Sequence, residues 1–151
     1  MPDTVYGPVS RSPQVAPTER ILPSAPRLWG GPHDDNAALM GGIAGHAGVF
    51  STPADLSTYA EYLLADRTAG WLDASLVPHA TIEPGTDRGL AWILPAGDQV
   101  VYHHGFTGTS LYLNVVTGRY IVICTNAIYH GPARERLQPL RDLALKVIAQ
   151  P

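Results

Sequence analysis

Apolar positions recur with helical spacing in two stretches of the chain and with strand-like runs in three. From Thr52 onward, Leu56, Tyr59, Ala60, Leu63 and Leu64 follow the i, i+3, i+4, i+7, i+8 pattern of a helix with one buried stripe. Thr52 suits the N-cap, Pro53 the first helical position, and Asp55 falls three residues after the cap. The segment 66–70 is expected to end this helix. Near the end of the chain, Ala133, Leu137, Leu140, Ala144, Val147 and Ile148 predict a second helix from Pro132 to about Ala149. Its charged residues, Arg134, Glu135, Arg136, Arg141, Asp142 and Lys146, are expected mostly on the opposite side. Between the helices, Leu90–Leu94 reads as a short strand ended by Pro95 and Gly97. Three more strands are predicted at 99–104, 109–116 and 119–125, the last two joined by a turn at Thr117-Gly118. The run Tyr120-Ile121-Val122-Ile123-Cys124 is apolar at every position, which predicts a strand buried on both faces with Cys124 as an inert core thiol. These elements make an α+β chain in which an antiparallel sheet carries a packed terminal helix.

The first 32 residues break the pattern. They hold seven of the 14 prolines (Pro2, Pro8, Pro13, Pro17, Pro23, Pro26 and Pro32) and no apolar periodicity. Each proline fixes φ and removes a backbone donor, so residues 1–32 read as an extended segment that needs something to lie on. Residues 33–151 read as the body of the domain. At its start stands a glycine-rich stretch, Met40-Gly41-Gly42-Ile43-Ala44-Gly45-His46-Ala47-Gly48-Val49-Phe50. It matches neither a dinucleotide fingerprint nor a phosphate-cradling loop.

Composition narrows the functions available. A chain of 151 residues suits one domain and can bury roughly 68–70% of its unfolded surface. The net charge of −3 provides no basic footprint for nucleic acid. A single cysteine excludes an internal disulfide. No apolar run is long enough to span a membrane, and the opening residues lack the apolar core of a signal peptide. As written, the chain is expected in the cytoplasm, although longer relatives with a leader would be exported. His33, His79 and His130 lack partners at metal-ligand spacing, so neither a metal nor another cofactor is expected. His46, Asp34, Asp35 and Asn36 read as ties for the glycine loop, and Ser51 as part of the helix cap.

Three stretches taken in order resemble the β-lactamase-like serine hydrolases, which include class C β-lactamases, low-molecular-weight penicillin-binding proteins and related esterases. The first runs from His33-Asp34-Asp35-Asn36-Ala37 into Gly41–Thr52. The second is the capped helix beginning at Asp55-Leu56. The third is His103-His104-Gly105-Phe106-Thr107-Gly108-Thr109-Ser110-Leu111, followed by the strand ending Cys124-Thr125-Asn126. The resemblance covers roughly residues 15–149. It implies part of the β-lactamase/transpeptidase fold, an antiparallel sheet with a terminal helix packed on it, beside a separate helical region.

The resemblance also implies a site. The family uses Ser-x-x-Lys for the nucleophile and its amine, Tyr-x-Asn or Ser-x-Asn from the helical region, and Lys-Thr-Gly or His-Thr-Gly on a sheet strand. A serine hydroxyl needs an adjacent base, and the oxyanion needs preorganised N–H donors. Only the third part stands here. The single lysine, Lys146, follows Leu143 by three positions, so no Ser-x-x-Lys exists in these 151 residues. Tyr112-Leu113-Asn114 spells Tyr-x-Asn but falls in a predicted sheet strand, where a catalytic role is not expected.

By the resemblance, His103 is the catalytic candidate, His104 replaces the small hydroxyl residue, Gly105 lets substrate approach the strand, and the Phe106 amide takes the place of an oxyanion donor. Strand alternation turns His103 toward the cleft and His104 away from it, which also argues against the two sharing a metal. Three functions stay open. The chain is the C-terminal portion of a serine hydrolase acting on a small ester or amide, completed by an N-terminal polypeptide or by self-association. Alternatively, it is a non-catalytic binding module, or a truncated remnant.

Overall fold

The computed structural model describes residues 1–20, 24, 26–65, 70–97, 99–130 and 134–150. Its centre is a six-stranded antiparallel sheet in which every strand pairs with its neighbour in sequence: β3 (Ala80–Glu83), β4 (Thr86–Arg88), β5 (Ile93–Pro95), β6 (Val100–His104), β7 (Ser110–Asn114) and β8 (Tyr120–Ile123). A two-stranded ribbon joins β1 (Val5–Tyr6) to β2 (Val49–Phe50). The helices are α1 (Asp35–Leu39), α2 (Pro53–Ala65), α3 (Trp71–Ser75) and α4 (Gln138–Ile148), the last preceded by a 3-10 turn at Arg134–Leu137. The fold is α+β, as the periodicity predicts.

The sheet is covered on both faces because its central strands are apolar at alternate positions on each side. On one face Val101 and Leu113 pack with Trp92, Leu72 and the α2 residues Ala60 and Leu63. On the other, Val100 and Tyr112 pack with Ala144 and Ile148 of α4. Complete burial of one such leucine is worth about 1.5–3 kcal/mol. The α2 stripe is the predicted one, and the Thr52 hydroxyl accepts the Asp55 amide at 3.2 Å as its cap.

Four expectations change. The strand predicted at Leu90–Leu94 is shorter and begins three residues later, at Ile93, because Leu90 bonds back to the Ser75 carbonyl instead. Strands β3 and β4 and helix α3 have no apolar periodicity to announce them; all four residues of β3 are exposed. β8 is the outer strand of the sheet, so its residues are half-buried and Cys124, just beyond its end, is exposed. From the 3-10 turn into α4 the buried stripe is Leu137, Arg141, Ala144 and Ile148, whereas Leu140 and Val147 are exposed. Pro132 and Ala133, the predicted start of this helix, lie outside the described residues.

The proline-rich opening lies along the body of the domain. Its β1 pairs with β2 directly after the glycine stretch. The approach is close: a Cβ on Gly48, at φ +107°, would sit 2.5 Å from the Gly42 carbonyl oxygen. The Asp55 carboxylate, 4% exposed, accepts the Asp3 amide at 2.8 Å and the Thr4 hydroxyl at 2.7 Å. Ser51 Oγ is bonded to that same Thr4 hydroxyl at 2.8 Å. Farther along, the Arg20 amide donates to the Tyr129 carbonyl and Asn126 to the Pro17 carbonyl. No helix among the described residues is long and apolar enough to cross a membrane.

Candidate functional site

The His-His-Gly stretch occupies the end of β6 and the turn into β7. His103 pairs with Leu111 and His104 with Ser110 across the two strands. Alternation along β6 separates the two imidazoles. His104 lies on the α4 face with Tyr102, its ring 4.7 Å from the tyrosine ring, and its Nε2 is 3.0 Å from the Tyr112 hydroxyl. His103 is on the other face, the side of Val101 and α2, and is exposed. Partial desolvation by surrounding protein, followed by the charge of Arg88 on β4, holds its pKa below the ordinary histidine value. A neutral imidazole can accept or relay a proton near neutral pH.

The turn that follows is fixed from several directions. The Gly105 carbonyl accepts the Gly108 amide at 3.2 Å and the Arg141 guanidinium, also at 3.2 Å. The Thr107 carbonyl accepts the Ala127 amide, and the Gly108 carbonyl accepts the Thr125 hydroxyl at 2.7 Å. Gly108 has φ +120°, and a Cβ there would lie 2.5 Å from Thr125 Oγ1, so glycine is required on both conformational and steric grounds. The Phe106 ring stacks on His33, centroids 5.2 Å apart, and His33 is bonded to Glu19 at 3.0 Å. The opening segment thus reaches the motif through His33.

Gly105 has a structural reason of its own. A Cβ at this position would lie 2.2 Å from Thr109 Oγ1. Close packing inside the turn therefore accounts for this glycine before any substrate is considered. Thr125, His33 and Glu19 play parts that strand and helix patterns do not reveal. Arg141 was legible in principle: Leu137, Arg141, Ala144 and Ile148 are spaced i, i+4, i+7, i+11, the positions of one helical stripe.

The other candidates resolve into structure. The Asp34 carboxylate caps α1 by accepting the Ala37 amide at 2.8 Å and meets His46 Nε2 at 2.8 Å. The Ala37 amide, then His46, lower its pKa. Asn114 of the Tyr-x-Asn triplet is 2% exposed: its amide donates to the Ile148 carbonyl, and its Oδ1 accepts the amides of Val116 and Thr117. Ser110 is buried on the α4 face, opposite His103. Desolvation raises the Cys124 pKa, which disfavours the thiolate. Among the described residues, no three His, Cys, Asp or Glu side chains gather as a metal site.

The sequence is similar to known proteins. Residues 1–146 match the Beta-lactamase family. Proteins provisionally named D-alanyl-D-alanine carboxypeptidase from Salmonella typhi, Salmonella paratyphi B and Salmonella newport are each 30% identical over 132 residues, covering 74% of this chain. The match covers 30% of each relative, so this chain spans about a third of their length. No solved structure gives a significant match. With a family match that spans nearly the whole sequence, the chain belongs to the β-lactamase family of serine hydrolases.

Proposed function

We propose that this chain forms the sheet wall of a serine hydrolase cleft that cleaves an ester or amide, with His103 as its acid–base or substrate-orienting group and the Phe106 amide as an oxyanion donor. The single observation that carries the reading is the separation of the two histidines. His104 is tied into the packed face against Tyr112, while His103 projects from the opposite face with a lowered pKa. The nucleophile and its neighbouring amine come from polypeptide outside these 151 residues, as an N-terminal segment or a second chain, because no Ser-x-x-Lys occurs within them. The names of the Salmonella relatives favour a D-Ala-D-Ala-like peptide as the amide substrate.

The test is complementation. Alone, the chain is expected to hydrolyse neither a p-nitrophenyl ester, a chromogenic β-lactam nor a D-Ala-D-Ala peptide. Joined to a Ser-x-x-Lys-bearing N-terminal part, it is expected to hydrolyse at least one of them. His103→Ala should then lower kcat/KM by about 10²–10⁴-fold, the usual cost of a positioned acid–base group, and His104→Ala should leave the rate largely intact. Turnover by the unaccompanied chain that persists in Ser51→Ala and Ser110→Ala would overturn the missing nucleophile. Equal, small effects of the two histidines would overturn the role of His103.

A further inference from the structure

We infer that Arg141 is a positioning residue that sets the direction of the Phe106 backbone N–H; the catalytic consequence of this rests on the hydrolase reading, while the structural part does not.

Arg141 sits in the middle of the buried stripe of α4 and is 7% exposed. Burying a guanidinium is costly unless its donors are used. This one is used sparingly. Its Nη2 donates to the Gly105 carbonyl at 3.2 Å, and its Nε has no hydrogen-bond partner among the described residues. A leucine would fill the stripe at less cost in desolvation. The bond to Gly105 is thus what distinguishes the arginine from an apolar residue here.

That bond acts on one particular peptide unit. The carbonyl of Gly105 and the N–H of Phe106 belong to the same planar trans peptide and point in opposite directions. Arg141 reaches the carbonyl from α4, on the face that holds His104 and Tyr112. Holding the oxygen toward α4 turns the Phe106 N–H away from α4, to the side opposite Arg141. The positive charge behind the carbonyl also orients the peptide dipole with its positive end toward that side. Two further contacts hold the unit in place: the Gly108 amide shares the same carbonyl, and the Phe106 ring is stacked on His33. An oxyanion donor works by being aimed before charge develops, and a donor on a turn next to glycine needs such external bracing.

The experiment has two arms. In the first, amide chemical shifts and hydrogen exchange are measured by NMR on the full 151-residue chain and on Arg141→Leu, Arg141→Lys and Arg136→Leu. Arg141→Leu should shift the Gly105, Phe106 and Gly108 amides and speed exchange at Gly108 about tenfold or more. Arg141→Lys should recover part of the effect, and Arg136→Leu, at an exposed position, should leave these signals in place. In the second arm, the same variants are made in the complemented protein. Arg141→Leu should lower kcat about 10- to 100-fold with KM little changed, the scale expected for a small misplacement of a catalytic group; Arg141→Lys should be intermediate. Unchanged amides at Gly105 and Phe106 in a folded Arg141→Leu chain would overturn the inference, as would a kcat equal to wild type. If Arg141→Leu does not fold, the Arg141→Lys amides decide it: a partial shift supports the positioning role and none overturns it. An inactive wild-type complemented protein would instead defeat the hydrolase reading, and the first arm would still decide the role of Arg141.

Discussion

The imidazole of His104 and the phenol of Tyr112 meet across adjacent strands, Nε2 to Oη at 3.0 Å. Both side chains lie on the α4 face, and Tyr112 is fully buried. Its pKa is raised, chiefly by burial, so it stays a phenol able to donate to the imidazole. His104→Ala removes this partner and leaves a buried hydroxyl short of a bond, which should cost about 1–3 kcal/mol. His103→Ala, at an exposed position, should change stability by no more than about 0.5 kcal/mol. Urea denaturation of the two variants side by side checks the difference.

His103 should titrate below the usual 6.5. The folded chain binds this proton less tightly than the unfolded chain, so the contribution of His103 to stability is fully present above pH 6.5 and is lost as pH falls through the folded value. Arg88→Gln should raise the pKa only partway, since desolvation is the larger cause and the guanidinium the smaller. Titration of the His103 imidazole protons by NMR in both proteins measures this. A full return to 6.5 in Arg88→Gln would reverse the order of the two causes.

Asn114 should prove structural despite its place in a Tyr-x-Asn triplet. It joins the β7–β8 turn to the end of α4 through bonds to Val116, Thr117 and Ile148. Asn114→Ala takes the buried Asn114 donor away from the Ile148 carbonyl and removes the acceptor that holds the turn amides of Val116 and Thr117, and is expected to cost about 1–3 kcal/mol. In the complemented protein, any residual folded fraction should turn over at the wild-type rate, which active-site titration can establish.

Gly105 and Thr109 should be energetically coupled. Gly105→Ala places a methyl against Thr109 Oγ1, with an expected cost of about 1–3 kcal/mol for overpacking. Thr109→Ala removes the offending oxygen and leaves Cβ at an ordinary 3.5 Å. The double variant should therefore be more stable than the sum of the two single effects. Simple additivity in thermal melts would place the reason for this glycine elsewhere.

Where the residues of an element that meet a core are themselves apolar, the amino-acid pattern exposed the element. The stripe of α2 and the central strands β6 and β7 were readable because Leu63, Val101 and Leu113 meet one common core. The alternation that parts His103 from His104 was readable for the same reason, since β6 has a packed neighbour on each side. Strand β3 was not, because a strand exposed along its whole length has no apolar period. Helix α3 is five residues long, too short for one. Arg141 escaped because a charged residue was assigned to solvent, whereas its position in the stripe, between Leu137 and Ala144, placed it indoors. The bracing of the turn by Thr125, His33 and Arg141 depends on residues far apart in sequence, and no local pattern encodes it.

The strict neighbour-to-neighbour order of the large sheet has a kinetic consequence. Each hairpin from β3 to β8 closes over a short stretch of chain, so the sheet can zip up one strand at a time at little entropic expense. The opening residues face the opposite situation: Asn126 and Pro17 are separated by 109 positions, and Thr4 and Asp55 by 51. In pulse-labelling hydrogen exchange, the amides of β6 and β7 should gain protection early. Those of Gly7, Val9 and Arg20 should follow later, as the strap settles onto a sheet already built.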